Sequence, residues 1–256
     1  MNLLLLDLRA RLGQRGVKVV LGMMAYAVLG LPFLLERPPA HVTEALRAWF
    51  GVDRGFVLFL YLWTDVAMNK LIGLVAVAFA GATLIQERDT GVLPLLRSKP
   101  ITLPRLFLLR AGSAVLLVLG LYWGTALVAV PWFWAKVEGF RPGIFLLSTL
   151  VHSGAAAFAT ALAALIAVLI RRRTASMVVG LIAIFSLIGG SFVGFYVPEW
   201  ASVASLNPFA QGVQVVGHLG DLGPEDVVIP MLYLGVCVAL TLAAGARAAA
   251  RMEEEL

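Results

Sequence analysis

The residues best placed to act on another molecule lie between Gln86 and Arg105. Glu87, Arg88 and Asp89 mark a water boundary, and Gly91 permits a sharp change of direction. Val92, Leu93, Leu95 and Leu96 then give an apolar face beside Arg97 and Lys99, and Pro100 closes the unit. Leucines exposed on a short amphipathic helix are costly in water unless something covers them, either the groove of a soluble partner or the lipid surface. The chemistry on offer is docking rather than bond making.

Constellations for bond making are sparse. No G-x-x-x-x-G-K-[ST] phosphate loop occurs, nor any Gly-Lys pair, H-E-x-x-H or G-x-S-x-G. The histidines, His41, His152 and His218, are far apart, and only His152 falls inside an apolar run. There it either bonds to a neighbouring helix or lines a polar path. The single cysteine, Cys237, reads as a small buried hydrophobe with no intrachain partner for a disulfide or a metal cluster. The expectation is a chain that is not an enzyme and holds no cofactor or metal of its own.

A membrane must position these residues. Of 256 residues, 61% are hydrophobic and only 14% are charged, with a mean hydropathy of +0.92, too apolar for a soluble domain of this length. Six apolar runs are each near the ~20 residues that cross a bilayer: Val17–Leu35, Val66–Ile85, Leu106–Trp132, Ile144–Ile170, Ala175–Val197 and Val227–Ala246. They predict an all-α integral membrane protein with one transmembrane domain over 1–256. The second run is the least sharply bounded, because Gly55–Leu62 is also apolar and either extends the span or lies in the interface before Trp63, Thr64 and Asp65. Lys70 then sits near the outer end and snorkels.

The net charge of +5 would suggest nucleic acid in a soluble protein, but the basic residues flank apolar runs and read as topology signals. Arg9, Arg11, Arg15 and Lys18, then Arg88 to Arg110, then Arg171, Arg172 and Arg173, then Arg247 and Arg251 fall on one side. By the positive-inside rule that side, with both termini, is cytoplasmic. Trp49, Trp63, Trp132, Trp134 and Trp200 fall on the other, as expected of interfacial indoles. Leu4, Leu5, Leu8 and Leu12 form an apolar stripe opposite Arg9, Arg11 and Arg15, which fits an N-terminal helix lying on anionic lipid. Asn207-Pro208, in the long outer connection before the last span, predicts one or two short helices at the outer face.

The stretch Glu87-Arg88-x-x-Gly91-x-Leu93-x-Leu95-Leu96-x-x-x-Pro100-Ile101-x-x-x-Arg105-Leu106 resembles the cytoplasmic segment of type-2 ATP-binding-cassette transporter permeases. The layout of six spans, an N-terminal interfacial helix and a long outer connection holding Asn207-Pro208-Phe209 resembles that family too. In size and in the Asn-Pro-Phe segment, the chain is most similar to the copper-enzyme maturation permeases of the nitrous-oxide reductase system. Two positions depart from the pattern: Pro94 precedes the leucine pair, and a lysine often found where the third span begins is Arg110. Leu187-Ile188-Gly189-Gly190-Ser191 looks like the signature of the family's ATPases but lies within an apolar span.

The resemblance implies an exporter in a bacterial cytoplasmic membrane, driven by two copies of a separate ATPase that binds the ATP and Mg²⁺. Glu87 to Pro100 would be the coupling helix docked on that ATPase. Arg171, Arg172 and Arg173 would be either a second contact or a plain topology determinant. Gly190-x-x-x-Gly194 in the fifth span and Gly120-x-x-x-Gly124 in the third both allow close helix approach, and family likeness favours the fifth, with the first, as the seam of a homodimer. The rival from another class is an ion-coupled carrier or channel, which needs intramembrane charges beyond His152 and Lys70.

Overall fold

The computed structural model describes residues 3–51, 55–91, 101–217 and 223–254. Leu93, Leu95, Leu96 and Pro100 lie outside the described residues, as does His218. Every element among the described residues is helical, and six helices are long and apolar enough to cross a membrane. The chain is an all-α, multi-pass membrane protein. The spans are Arg15–Glu36, Gly55–Ala80, Leu103–Lys136, Pro142–Ile170, Arg173–Tyr196 and Glu225–Glu254.

Burial orders them. In the most apolar 18-residue stretch of each span, 67% of residues are buried in the second and fourth, against 22% in the first and fifth and 6% in the sixth. The second and fourth therefore form the axis, and the others turn long apolar faces outward. The fourth can be central because Ala155, Ala156, Ala159, Ala163 and Ala164 are fully buried and let neighbouring backbones approach. At one such approach Gly245 of the sixth span faces the Phe107 ring of the third, where a Cβ would collide with it.

Four spans begin and end within a few residues of their apolar runs, the sixth continues eight residues past its run to Glu254, and the second is displaced. It starts at Gly55 rather than Val66 and ends at Ala80 rather than Ile85, so the apolar Gly55–Leu62 stretch belongs to the span. Asp65 and Lys70 thereby move from its outer end into its interior. Within it Leu62–Asn69 winds as a π-helix, a geometry often found at functional positions. Trp63 is not an interfacial marker. It is fully buried, with Tyr122, Phe133 and Phe145 around it at ring distances of 6.5, 5.4 and 5.3 Å.

At the opposite end of the bundle from both termini, the amphipathic helix Ala40–Phe50 sets Trp49 against Phe192, Phe195 and Tyr196. Where one or two short helices were expected there are three, Pro198–Trp200, Ala201–Ala204 and Pro208–Gly217. The last does not rest on the surface. Asn207 caps it by accepting the Phe209 N–H (3.0 Å) while donating to the Leu187 carbonyl (2.5 Å). Phe209, Ala210, Val213, Val215 and Val216 are then all buried, because the helix turns its apolar side into the bundle.

Candidate functional site

Where the second span ends, the chain is turned by a sequence of local bonds. Thr83 Oγ1 donates to the Ala80 carbonyl (2.7 Å), and Ser176 of the fifth span donates to the Gly81 carbonyl (2.9 Å). Leu84 follows with φ +62°, a left-handed conformation that a leucine adopts only where its surroundings enforce it. Leu84 is buried, so they do. A short helix, Ile85–Asp89, leads to Gly91 at φ +68°, where the missing Cβ removes that cost.

Glu87, on this short helix, is bound. Its Oε1 meets Arg110 Nη2 of the third span at 2.6 Å. Arg110 Nη1 also pairs with Asp7 of the N-terminal helix, and Ser113 Oγ donates to the same carboxylate. Asp7 accepts in addition from Arg11 Nε at 2.9 Å. Arg11 in turn donates to the carbonyls of Phe79 (2.7 Å) and Arg110 (3.3 Å), on the second and third spans. Burial pushes the Asp7 carboxyl up, but the bonds from Ser113 and Arg11 and the charges of Arg11 and Arg110 outweigh it and hold the group below its ordinary value. One cluster thus ties residues 85–91, the root of the arm that connects the second span to the third, to the N-terminal helix and two spans around a cavity of about 460 Å³.

Both chain ends lie at this end of the bundle. Glu253, near the end of the sixth span, accepts the Leu103 N–H at the start of the third (3.2 Å). The loop between the fourth and fifth spans also converges here. Arg171 ends the fourth span in a left-handed conformation at φ +60°, and lines a narrow gap with Leu84, Ile85 and Arg88. Arg173 opens the fifth span on the rim of the cavity that Glu87 lines, and Arg172 between them is exposed.

A second polar assembly lies inside the bundle. Asn69 Nδ2 donates to Asp65 Oδ1 (3.2 Å), which leaves Asn69 Oδ1 to accept from His152 Nε2 (2.7 Å). His152 Nδ1 is then the acceptor for the Tyr122 hydroxyl (2.9 Å). The chain spans three helices, running from the third through the fourth to the second, and its last member, Asp65, pairs with Lys70 at 3.9 Å. His152 is packed by Gly212 of the inserted Pro208–Gly217 helix, whose Cβ position is 3.0 Å from the imidazole Cδ2.

No family model and no curated protein matches this chain. The assignment of function therefore rests on its own geometry.

Of the residues singled out in the sequence, Glu87, Arg88, Gly91, Arg171 and Arg173 are gathered at the arm root. His152 stands apart within the fourth span. Gly190 and Gly194 are at the far end of the fifth, in surroundings supplied by this chain. A Cβ on Gly190 would meet Asn207 Nδ2 at 3.4 Å, and one on Gly194 would meet the Ala201 backbone at 2.9 Å. Among the described residues no group of three or more His, Cys, Asp or Glu could hold a metal ion.

Sequence reasoning overlooked Asp7, Asp65, Asn69 and Tyr122. It also placed Arg11 on a lipid-facing surface, whereas Arg11 is drawn into the bundle by Asp7 and the two carbonyls. The signal was present in the four-residue steps Asp7 to Arg11 and Asp65 to Asn69, which put each pair on one helix face.

Proposed function

We propose that this chain is the permease subunit of a type-2 ATP-binding-cassette transporter. It works as a homodimer in a bacterial cytoplasmic membrane, with both termini cytoplasmic, and two copies of a separate ATPase dock on its arms. Supporting this above all is the anchorage of Glu87, which ties the segment between the second and third spans to Arg110, and through it to the N-terminal helix. A force applied to the arm enters three elements at once, as a coupling device requires. Arg171, Arg172 and Arg173 lie beside it and suit a second contact with the same ATPase.

In this mechanism ATP and Mg²⁺ are held by the ATPase. Closure of the two ATPases brings the arms together, and the spans rock to change the side on which the central path opens. The arm must bind differently in the two nucleotide states, since equal affinity would shift nothing. The direction is export.

The test is affinity purification of the tagged chain from its native membrane, with the co-purifying proteins examined for an ATPase bearing a phosphate loop. The double variant Leu95→Asp, Leu96→Asp is expected to release the ATPase while the permease keeps its elution volume. Retention of the ATPase on that variant refutes the coupling assignment.

A second reading, an ion-coupled carrier without an ATPase, gains one observation. Asp65 and Lys70 are both intramembrane charges in contact with the His152 chain. Solute uptake into vesicles containing the purified chain alone, without nucleotide, would favour it.

A further inference from the structure

Lys70, at the end of the second polar assembly, opens onto a separate groove. The groove runs between the first and second spans and holds about 940 Å³. Its walls are apolar except at one level, and among the described residues Lys70 is its only charged lining residue. The Lys70 side chain is 54% exposed, and its ion partner among the described residues is Asp65 at 3.9 Å, at the outer limit of a salt bridge.

Depth makes this unusual. Gly16 of the first span packs against the Phe79 ring of the second (3.7 Å from its Cβ position), which fixes the two helices in register near the arm end. Lys70 lies nine residues back from Phe79 and Tyr26 ten residues on from Gly16. At 1.5 Å per residue both sit about 13 to 15 Å deeper than that contact, at one level. That is too far from the interface for a lysine stem to snorkel out. Tyr26 is 80% exposed into the same groove. Gly22 and Gly30, one turn before and after it, have open space where a Cβ would be. An ammonium and a phenol hydroxyl therefore face a space otherwise fit for hydrocarbon, at mid-depth in the bilayer.

We propose that this groove binds an amphiphilic anion, an apolar body bearing one acidic group, with Lys70 as counter-ion and Tyr26 as hydrogen-bond donor. Resident phospholipids keep their headgroups at the interface, so an acid-binding pair at mid-depth suits a molecule in transit. This names a cargo class for the permease reading and rests on it for the word cargo; the binding itself does not.

The test uses the full chain alone in nanodiscs of phosphatidylcholine, with no ATPase, so that a failure of coupling and a failure of binding are separate results. The probes are a sixteen-carbon fatty acid with a diazirine on its chain and the fatty alcohol of the same length. The acid is expected to label peptides containing Met23 to Leu34 about tenfold more than the alcohol, as one charge-assisted bond provides. Lys70→Gln should abolish that preference and leave alcohol labelling unchanged. Lys70→Arg should keep it, and Asp65→Asn, by removing the competing carboxylate, should raise it. Lys70→Arg and Asp65→Asn keep the test decisive if Lys70→Gln does not fold. Equal labelling by acid and alcohol, or an unchanged Lys70→Gln variant, overturns the proposal. So does displacement by phosphatidylglycerol as effective as by unlabelled acid, which would mark a resident lipid. Exclusion of both probes by a second copy cross-linked across the groove overturns it as well.

Discussion

Arg110→Met removes the cation that joins Glu87 to Asp7, and the structure sets the size of the effect. The Asp7 and Glu87 side chains are only 10% and 14% exposed, whereas Arg110 is 35% exposed. Removing one partner of a fully buried pair costs about 3 to 5 kcal/mol. Partial solvation of Arg110, and the bonds Asp7 keeps from Arg11 and Ser113, reduce that to about 2 kcal/mol. At roughly 2 to 4 °C per kcal/mol for a chain of this size, the midpoint of thermal unfolding should fall by about 4 to 8 °C. The assay is the thermal midpoint of the purified chain in nanodiscs for Arg110→Met, Asp7→Asn and the double variant. Because the two groups touch, the double variant should lose less than the sum of the singles, by at least about 0.5 kcal/mol. Strict additivity, or a shift below about 1 °C for Arg110→Met, would refute the view that this cluster holds the arm.

Acid should loosen the same cluster. The Asp7 carboxyl is held below its ordinary value in the folded chain, so its stabilising contribution is complete above about pH 4, the unfolded value. It is lost as pH falls through the lowered folded value; below pH 4 the wild-type midpoint should drop more steeply than that of Asp7→Asn. Inside the bundle, His152→Leu removes the donor to the Asn69 carbonyl and the acceptor of the Tyr122 hydroxyl. At about 1 to 3 kcal/mol for each buried group left unsatisfied, the midpoint should fall further than for Arg110→Met, and His152→Gln, which can meet both groups, should recover part of the loss.

The number of spans was legible because a bilayer imposes its thickness on the sequence. A run of about 20 apolar residues is a long-range signal that neighbouring helices do not alter. The second span was the exception because Trp63, Thr64, Asp65 and Lys70 interrupt its hydropathy. Indole and charge mark an interface when each is considered alone. Here Trp63 is enclosed by aromatic rings, and Asp65 is met by Asn69 and Lys70. Partners that neutralise a polar residue let it sit at mid-depth, and one of them, Lys70, was itself taken for a boundary marker. The inserted helix Pro208–Gly217 was misplaced for a related reason. Its apolar side fits the interface and the bundle equally well, and only the Asn207 bond to Leu187 and the bare Gly212 beside His152 decide between them.

The arm root shows the same division between local and distant information. Glu87, Arg88 and Gly91 stood out because their types change abruptly at the end of an apolar run. What restrains them did not, since Asp7 and Arg110 are 103 residues apart and Arg11 reaches a carbonyl 68 residues away. The arginine at position 110 has a physical meaning here. One guanidinium meets Glu87 through Nη2 and Asp7 through Nη1, on two different elements. A lysine presents a single ammonium with no fixed fork, and could hold that bridge only by bringing both carboxylates to one nitrogen. In this chain the short helix Ile85–Asp89 and the N-terminal helix are therefore joined through a side chain whose planar geometry sets their separation.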